Sequence, residues 1–208
     1  MTEKIRNGYE QADWQKHYDE NDLAWDLGEV ANPFVRLWED KVLQPGTLIV
    51  PGCGQGHEVI YFAARGFQVT GVDYSPGAEK LLRDSLRNKK LNAQVLHQDF
   101  FELDETHNQA YDNLLEQTFF CAIHREQRPA YVETVSRILK PGGLLFGLFY
   151  ETGEEGGPPF NTTESDIQDH FAAAFDIERL EKCSFSSEKR KDKEWLAIMR
   201  KKPEDGTG

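Results

Sequence analysis

Gly52, Gly54 and Gly56 fall within five positions, directly after the apolar run TLIV (47–50), and Asp73 closes the next apolar run, FQVTGVD (67–73). Few chain paths satisfy that spacing. Clustered glycines mark a turn that needs positive φ or close backbone approach. With a helix over 57–65 behind it, the turn joins two strands into a βαβ unit, which implies a right-handed crossover and a parallel sheet. AQVLH (93–97), YDNLLEQ (111–117) and GLLFGLFY (143–150) extend the series, their near-continuous apolar character suiting strands covered on both faces. A helix is predicted over 77–89, introduced by Ser75 as N-cap and Pro76 in the first turn. Another is predicted over 126–139, ended by KPGG (140–143).

The last quarter breaks the alternation. A helix near 163–173 is followed by FDIERLEKC (175–183), a charged loop and EWLAIMR (194–200), two strands with no helix between them. The expected fold is therefore α/β and Rossmann-like: a mostly parallel seven-stranded sheet, helices on both faces, and an antiparallel C-terminal hairpin at one edge. That layout is similar to class I methyltransferases and uncommon among dehydrogenases. Ligands of such sheets bind at the carboxyl ends of the strands.

At 208 residues the chain suits one domain, expected over 1–200. Residues 1–45 are read as an N-terminal helical lid region and 201–208 as a disordered tail. No 18-residue apolar stretch is present, and MTEKIRNGYEQADW has no apolar h-region, so neither a membrane span nor a secretory signal is expected. Cys53, Cys121 and Cys183 are far apart and form no CxxC pair. That argues against disulfides and a zinc site, predicts no metal, and suits a reducing cytoplasm. A net charge of −12 disfavours nucleic acid as a partner. The basic run EKRKDKEW (188–195) is interleaved with acids and is read as a solvated loop. A small-molecule ligand and a monomer are expected.

Three elements point to an adenosine. The glycine turn carries His57 where a dinucleotide fingerprint would place its third glycine, which favours the GxGxG turn that serves S-adenosylmethionine. Asp73 can accept from both ribose hydroxyls, and Asp99, just past the third strand, from an adenine amine, with the backbone of Phe100 completing the base edge. The alternatives are glycines that serve only the turn and an Asp99 that caps its loop. Near the N-terminus, Trp14 and Tyr18 are four apart on one helical face, with Trp25 following. These rings either pack on the sheet or close over the ligand, where aromatic faces attract a sulfonium cation.

In WDLG (25–28), VPGCGQGHE (50–58), GVDYS (71–75), QDFF (98–101), FFCAIHREQRPAY (119–131), LKPGG (139–143) and GGPPF (156–160), the chain resembles the thiopurine S-methyltransferase family in the broad sense. Its motifs are most similar to the halide/thiol methyltransferases. The resemblance implies S-adenosyl-L-methionine as cofactor, enclosed by Trp14, Tyr18 and Trp25, and contacts from Gly52, Asp73, Asp99 and Phe100. Gly54 and Tyr74, in the same motifs, are counted with them. Tyr18 stands where plant members suggest a tryptophan. Gln117, at the end of the fourth strand, stands where they suggest a tyrosine and thiopurine enzymes an arginine. Gln117 is therefore expected at both the cofactor and the reacting centre.

The implied reaction is in-line displacement at the sulfonium methyl by a thiol, sulfide, thiocyanate, halide or thiopurine, resting chiefly on alignment and desolvation. His124 either takes a thiol proton or is a surface residue at a helix start. Arg128 either attracts an anionic acceptor or forms a surface salt bridge. His57 is expected to pack, Cys53 and Cys121 to be small buried hydrophobes, and Pro158, Pro159 and Phe160 to wall the acceptor pocket. Methyl transfer to oxygen, nitrogen or a metalloid, an NAD-linked oxidoreductase and a non-catalytic cofactor-binding protein remain the alternatives.

Overall fold

A computed structural model describes residues 9–203. The strands β1 (Thr47–Pro51), β2 (Gln68–Asp73), β3 (Gln94–His97), β4 (Tyr111–Gln117), β5 (Leu139–Tyr150), β6 (Phe175–Lys182) and β7 (Glu194–Lys201) form one sheet ordered β3-β2-β1-β4-β5-β7-β6. The first five are parallel. β7 inserts antiparallel between β5 and β6, the expected hairpin. The chain winds outward from β1 to β3, then returns across β1 to β4. The crevice at the β1 and β4 carboxyl ends is thus the topological switch point, where open α/β sheets bind ligands.

Helices α1 (Gln11–Glu20), α2 (Asn32–Glu39), α3 (His57–Ala63), α4 (Pro76–Lys89), α5 (Arg128–Ile138) and α6 (Glu164–Phe171) cover the sheet. Two apolar clusters form the core. β5 explains why its sequence is continuously apolar: Leu144, Phe146 and Leu148 enter one cluster with Phe34 and Phe62, while Leu145 and Phe149 enter the other with Tyr131 and Phe171. Successive strand residues face opposite layers, and both layers are dry.

Three expectations need correction. β5 begins at Leu139, before KPGG: Tyr111 pairs with Leu139 but Asn113 with Leu144, so residues 140–143 bulge from the ladder, with Gly142 at φ +73°. The tail does not begin at 201. Lys201 is buried in β7 and the Lys202 N–H donates to Ala174 O at 3.0 Å. Residues 204–208 of that tail, and 1–8 of the lid region, lie outside the described residues. Finally, the run 188–195 is not simply solvated, because Arg190 and Glu194 are buried together at 3.1 Å. A buried carboxylate in the hairpin recruits a cation from the loop beside it.

Candidate active site

The turn after β1 places Gly52, Gly54 and Gly56 at φ +56°, +53° and +77°. An added Cβ on Gly52 would collide with the Phe119 ring, and one on Gly54 would fall 3.4 Å from the Tyr18 hydroxyl. Gly52 and Gly54 thus let the backbone pass close to the Phe119 and Tyr18 rings, while Gly56 packs on Leu82. Asp73, at the end of β2, accepts from the Gly54 N–H at 3.0 Å and the Ser75 N–H at 2.9 Å. Burial raises its carboxyl above the usual range, although those two bonds oppose the shift. Asp99 accepts from the Phe101 N–H at 2.9 Å and also lines the cavity. Capping its turn and facing the ligand space are therefore compatible.

α1 lies across the opening. Its Gln15 accepts from the Gly77 N–H at 2.9 Å, and its Gln11 amide donates to Tyr74 O. Trp14 and Tyr18 meet Trp25 edge to face, at 5.2 and 6.0 Å between ring centroids. Asp26, beside Trp25, accepts from the Gly28 N–H at 2.5 Å, lies 3.0 Å from His57 Nε2, and takes the Gln55 amide. Burial alone would raise the Asp26 carboxyl, but His57 and the Gly28 N–H hold it below the usual range. The same contact raises His57. The imidazole in the third-glycine position thus pins the Trp25 segment to the glycine turn.

These parts enclose a cavity of about 550 Å³, within the roughly 300–1,000 Å³ of small-molecule sites. Trp14, Tyr18, Trp25, Gly52, Asp73, Tyr74, Asp99 and Phe100 line it. Cys121, His124, Tyr150, Pro158, Pro159, Lys189 and Arg190 line it as well. Gly54 lines a smaller adjoining cavity of about 50 Å³ with Gln117, while Trp25, Leu27, Gly52 and Thr118 border both. Gln117 is therefore not on the wall of the larger cavity, because it ends β4 facing the glycine turn.

His124 lines the cavity with its Nε2 3.5 Å from Glu10 Oε1. Arg128 fits neither expectation. It is 3 % exposed, lies over the Phe120 ring at 4.5 Å, and donates to Thr162 Oγ1 at 3.0 Å and Asn161 O at 3.2 Å. It braces the loop after β5 from behind. Phe160 is likewise core, its N–H donating to Cys121 O at 2.7 Å, which leaves the wall to the two prolines. Burial pushes the Cys121 thiol up to about 12, so it stays protonated. The charge pattern hid Arg190, whose guanidinium donates to Trp25 O as well as to Glu194, and so joins the hairpin loop to the lid. Among the described residues no cluster could hold a metal ion.

A family model described as thiopurine S-methyltransferase matches residues 9–204. The chain is 31% identical to thiocyanate methyltransferase 1 of Brassica oleracea over 196 residues, which cover 92% of this chain and 86% of that protein. It is 30% identical to the thiopurine S-methyltransferase of Pseudomonas paraeruginosa, over 83% of this chain and 87% of that one. Among solved structures, the fold is similar to Burkholderia thailandensis 1,6-didemethyltoxoflavin-N1-methyltransferase with bound S-adenosylhomocysteine. The TM-score is 0.76 at 17% identity, covering 92% of this chain and 87% of that one.

Proposed function

The chain belongs to the thiopurine S-methyltransferase family, and on that premise we propose that it is an S-adenosylmethionine-dependent methyltransferase acting on a small soft nucleophile: a thiol, sulfide, thiocyanate or halide. One observation carries the reading. A single cavity is lined by Asp73 and Asp99, by the three aromatic rings of Trp14, Tyr18 and Trp25, and by Pro158 and Pro159. The residues present fit the cofactor. Carboxylates suit a ribose diol and an adenine amine, positive-φ glycines admit close approach, and ring faces suit a cation.

When bound, S-adenosylmethionine supplies an electrophilic methyl group on a sulfonium. The chain's own part is to hold and to dry. Asp73 accepts from the ribose hydroxyls without releasing the turn. Asp99 and the backbone of Phe100 take the adenine edge, with Tyr74 beside them. Trp14, Tyr18 and Trp25 exclude water, and Gln117 meets the methionyl end through the smaller cavity. Lys189 draws an anionic acceptor into the cavity, and an anion approaching a cation cancels charge, so no oxyanion hole is needed. A thiol, only a few per cent ionised at neutral pH, gives its proton to His124, whereas thiocyanate and halide need no base. Alignment in a water-poor space supplies the rate.

The reading includes a cytoplasmic monomer with no nucleic-acid or membrane partner. Three buried free cysteines and the acidic composition support it, and no helix among the described residues is long and apolar enough to cross a membrane. The test is thermal unfolding with S-adenosylhomocysteine and with NAD. A ligand at ~100 times its dissociation constant adds roughly 2.7 kcal/mol, a midpoint rise of roughly 5–10 °C. A rise with S-adenosylhomocysteine alone, followed by methylation of thiocyanate, iodide or hydrosulfide, is expected. A rise with NAD alone refutes the reading.

A further inference from the structure

Glu116, the penultimate residue of β4, is 1 % exposed, yet its carboxylate is fully engaged. One oxygen accepts from the N–H groups of Phe119 and Phe120, at 3.0 and 2.8 Å, and the other from the Tyr131 hydroxyl at 2.6 Å. The sheet makes room for it. Gly147 lies directly opposite on β5, and a Cβ there would fall 2.6 Å from the Glu116 Cβ. Between Glu116 and the two N–H groups it holds lies Thr118, a β-branched residue at φ +60°. That left-handed conformation is strained for such a side chain and persists only where its surroundings over-determine it. Thr118 is also one of the residues bordering both cavities.

We propose that Glu116 is a positioning residue for methyl transfer: by gripping the Phe119 and Phe120 N–H groups it holds Thr118 in its left-handed turn, and so fixes the wall shared by the cofactor space and the acceptor space. The inference rests on the methyltransferase reading above. Neutralising the carboxyl weakens the grip, since hydrogen bonds to an ionised acceptor are about twice as strong as neutral ones. Burial pushes Glu116 up to about 7. The groups facing it are Tyr131 and Arg128 from α5 and Cys121 from the loop, with only Gly147 opposite on β5. Turnover is therefore expected to rise with pH through a midpoint near 7.

Glu116→Gln, Thr118→Gly and the double variant test the chain of cause, with thiocyanate or hydrosulfide as acceptor and rates expressed as variant over wild type at each pH, which cancels titration of the acceptor. Glu116→Gln is expected to hold the wild type's acid plateau at every pH, about tenfold below wild type at pH 8. Glycine adopts positive φ freely, so in the Thr118→Gly background the same change should cost less than threefold, and Thr118→Gly alone should lack the limb near 7. An equal loss in both backgrounds, turnover by Glu116→Gln within twofold of wild type, or a limb persisting in Thr118→Gly would overturn the proposal. If Glu116→Gln does not fold, the Thr118→Gly profile decides alone. S-adenosylhomocysteine stabilisation of each variant reports on the cofactor reading separately, so the two failures are distinguishable.

Discussion

Two oxygens of Asp73 serve two purposes at once. Each holds one backbone N–H, from Gly54 or Ser75, and each carboxylate oxygen has a second lone pair free for a ribose hydroxyl. Asp73→Ala should therefore weaken S-adenosylhomocysteine binding by at least ~100-fold, the loss of two hydrogen bonds to a charged group. Titration calorimetry checks this, and affinity within threefold of wild type would remove Asp73 from the ribose. Arg190 shows the same economy in the hairpin loop. Its guanidinium binds the buried Glu194 carboxylate and the Trp25 carbonyl. Arg190→Ala leaves Glu194 buried and unpaired, at a cost of about 3–5 kcal/mol. The thermal midpoint should fall by roughly 6–20 °C. Adding Glu194→Gln should return at least half of that fall. If the second change deepens the loss instead, the pair is held by packing and not by charge.

α1 is an element whose position owes little to the core. None of its residues is buried, and it rests on the start of α4 through Gln15 and the Tyr18 ring. Gly77 makes that seat: a Cβ there would fall 2.5 Å from the Tyr18 Cβ, a part of the side chain that cannot swing aside. Gly77→Ala should displace α1, cutting S-adenosylhomocysteine affinity at least ~10-fold while the apo midpoint moves by less than about 2 °C. Unchanged affinity would mean that the lid's position is irrelevant to the cofactor. Elements of this kind were legible to different degrees. The βαβ series and the hairpin follow from local period and punctuation, which a strand or helix carries within itself. Trp14 and Tyr18 share a face because four residues make a turn. By contrast, Asp26 and His57 are 31 positions apart, and Arg190 reads as one more charge in a charged run until Glu194 is folded against it. For Arg128 the local sequence suits either a cation that attracts the acceptor or a surface salt bridge, but α5 turns it inward to brace the loop after β5. Gln117 was placed on the correct strand end, yet the direction of its side chain depends on how β4 meets the glycine turn, which no local pattern encodes.

Across the whole molecule, buried acids set how stability follows pH. Burial raises Glu58, Asp73 and Glu116 above the usual carboxylate range, Glu116 to about 7 from 4.5. A group raised on folding contributes stability that is complete below its unfolded value and is lost as pH climbs through its folded one. His57, raised by Asp26, acts in the same sense above 6.5. Asp26, Asp112, Asp166 and Glu151 are held below the usual range and act oppositely, their contribution disappearing as pH falls through their folded values. The apo protein should therefore be most stable near pH 5, between the two sets. From pH 5 to 8 it should lose on the order of 3 kcal/mol through Glu116 alone, and self-repulsion at a net charge of −12 acts in the same direction. Urea titrations at pH 5, 6.5 and 8 measure the slope, and Glu116→Gln should remove most of it, because an amide does not titrate. A flat profile in the wild type would mean that Glu116 is already ionised at pH 5 in the folded chain. The clamp on Thr118 would then hold across the whole range, and turnover would show no limb near 7. With the slope present, the form of Glu116 that grips the cavity wall is the one that costs stability, which is the usual relation between a strained working site and the fold that supports it.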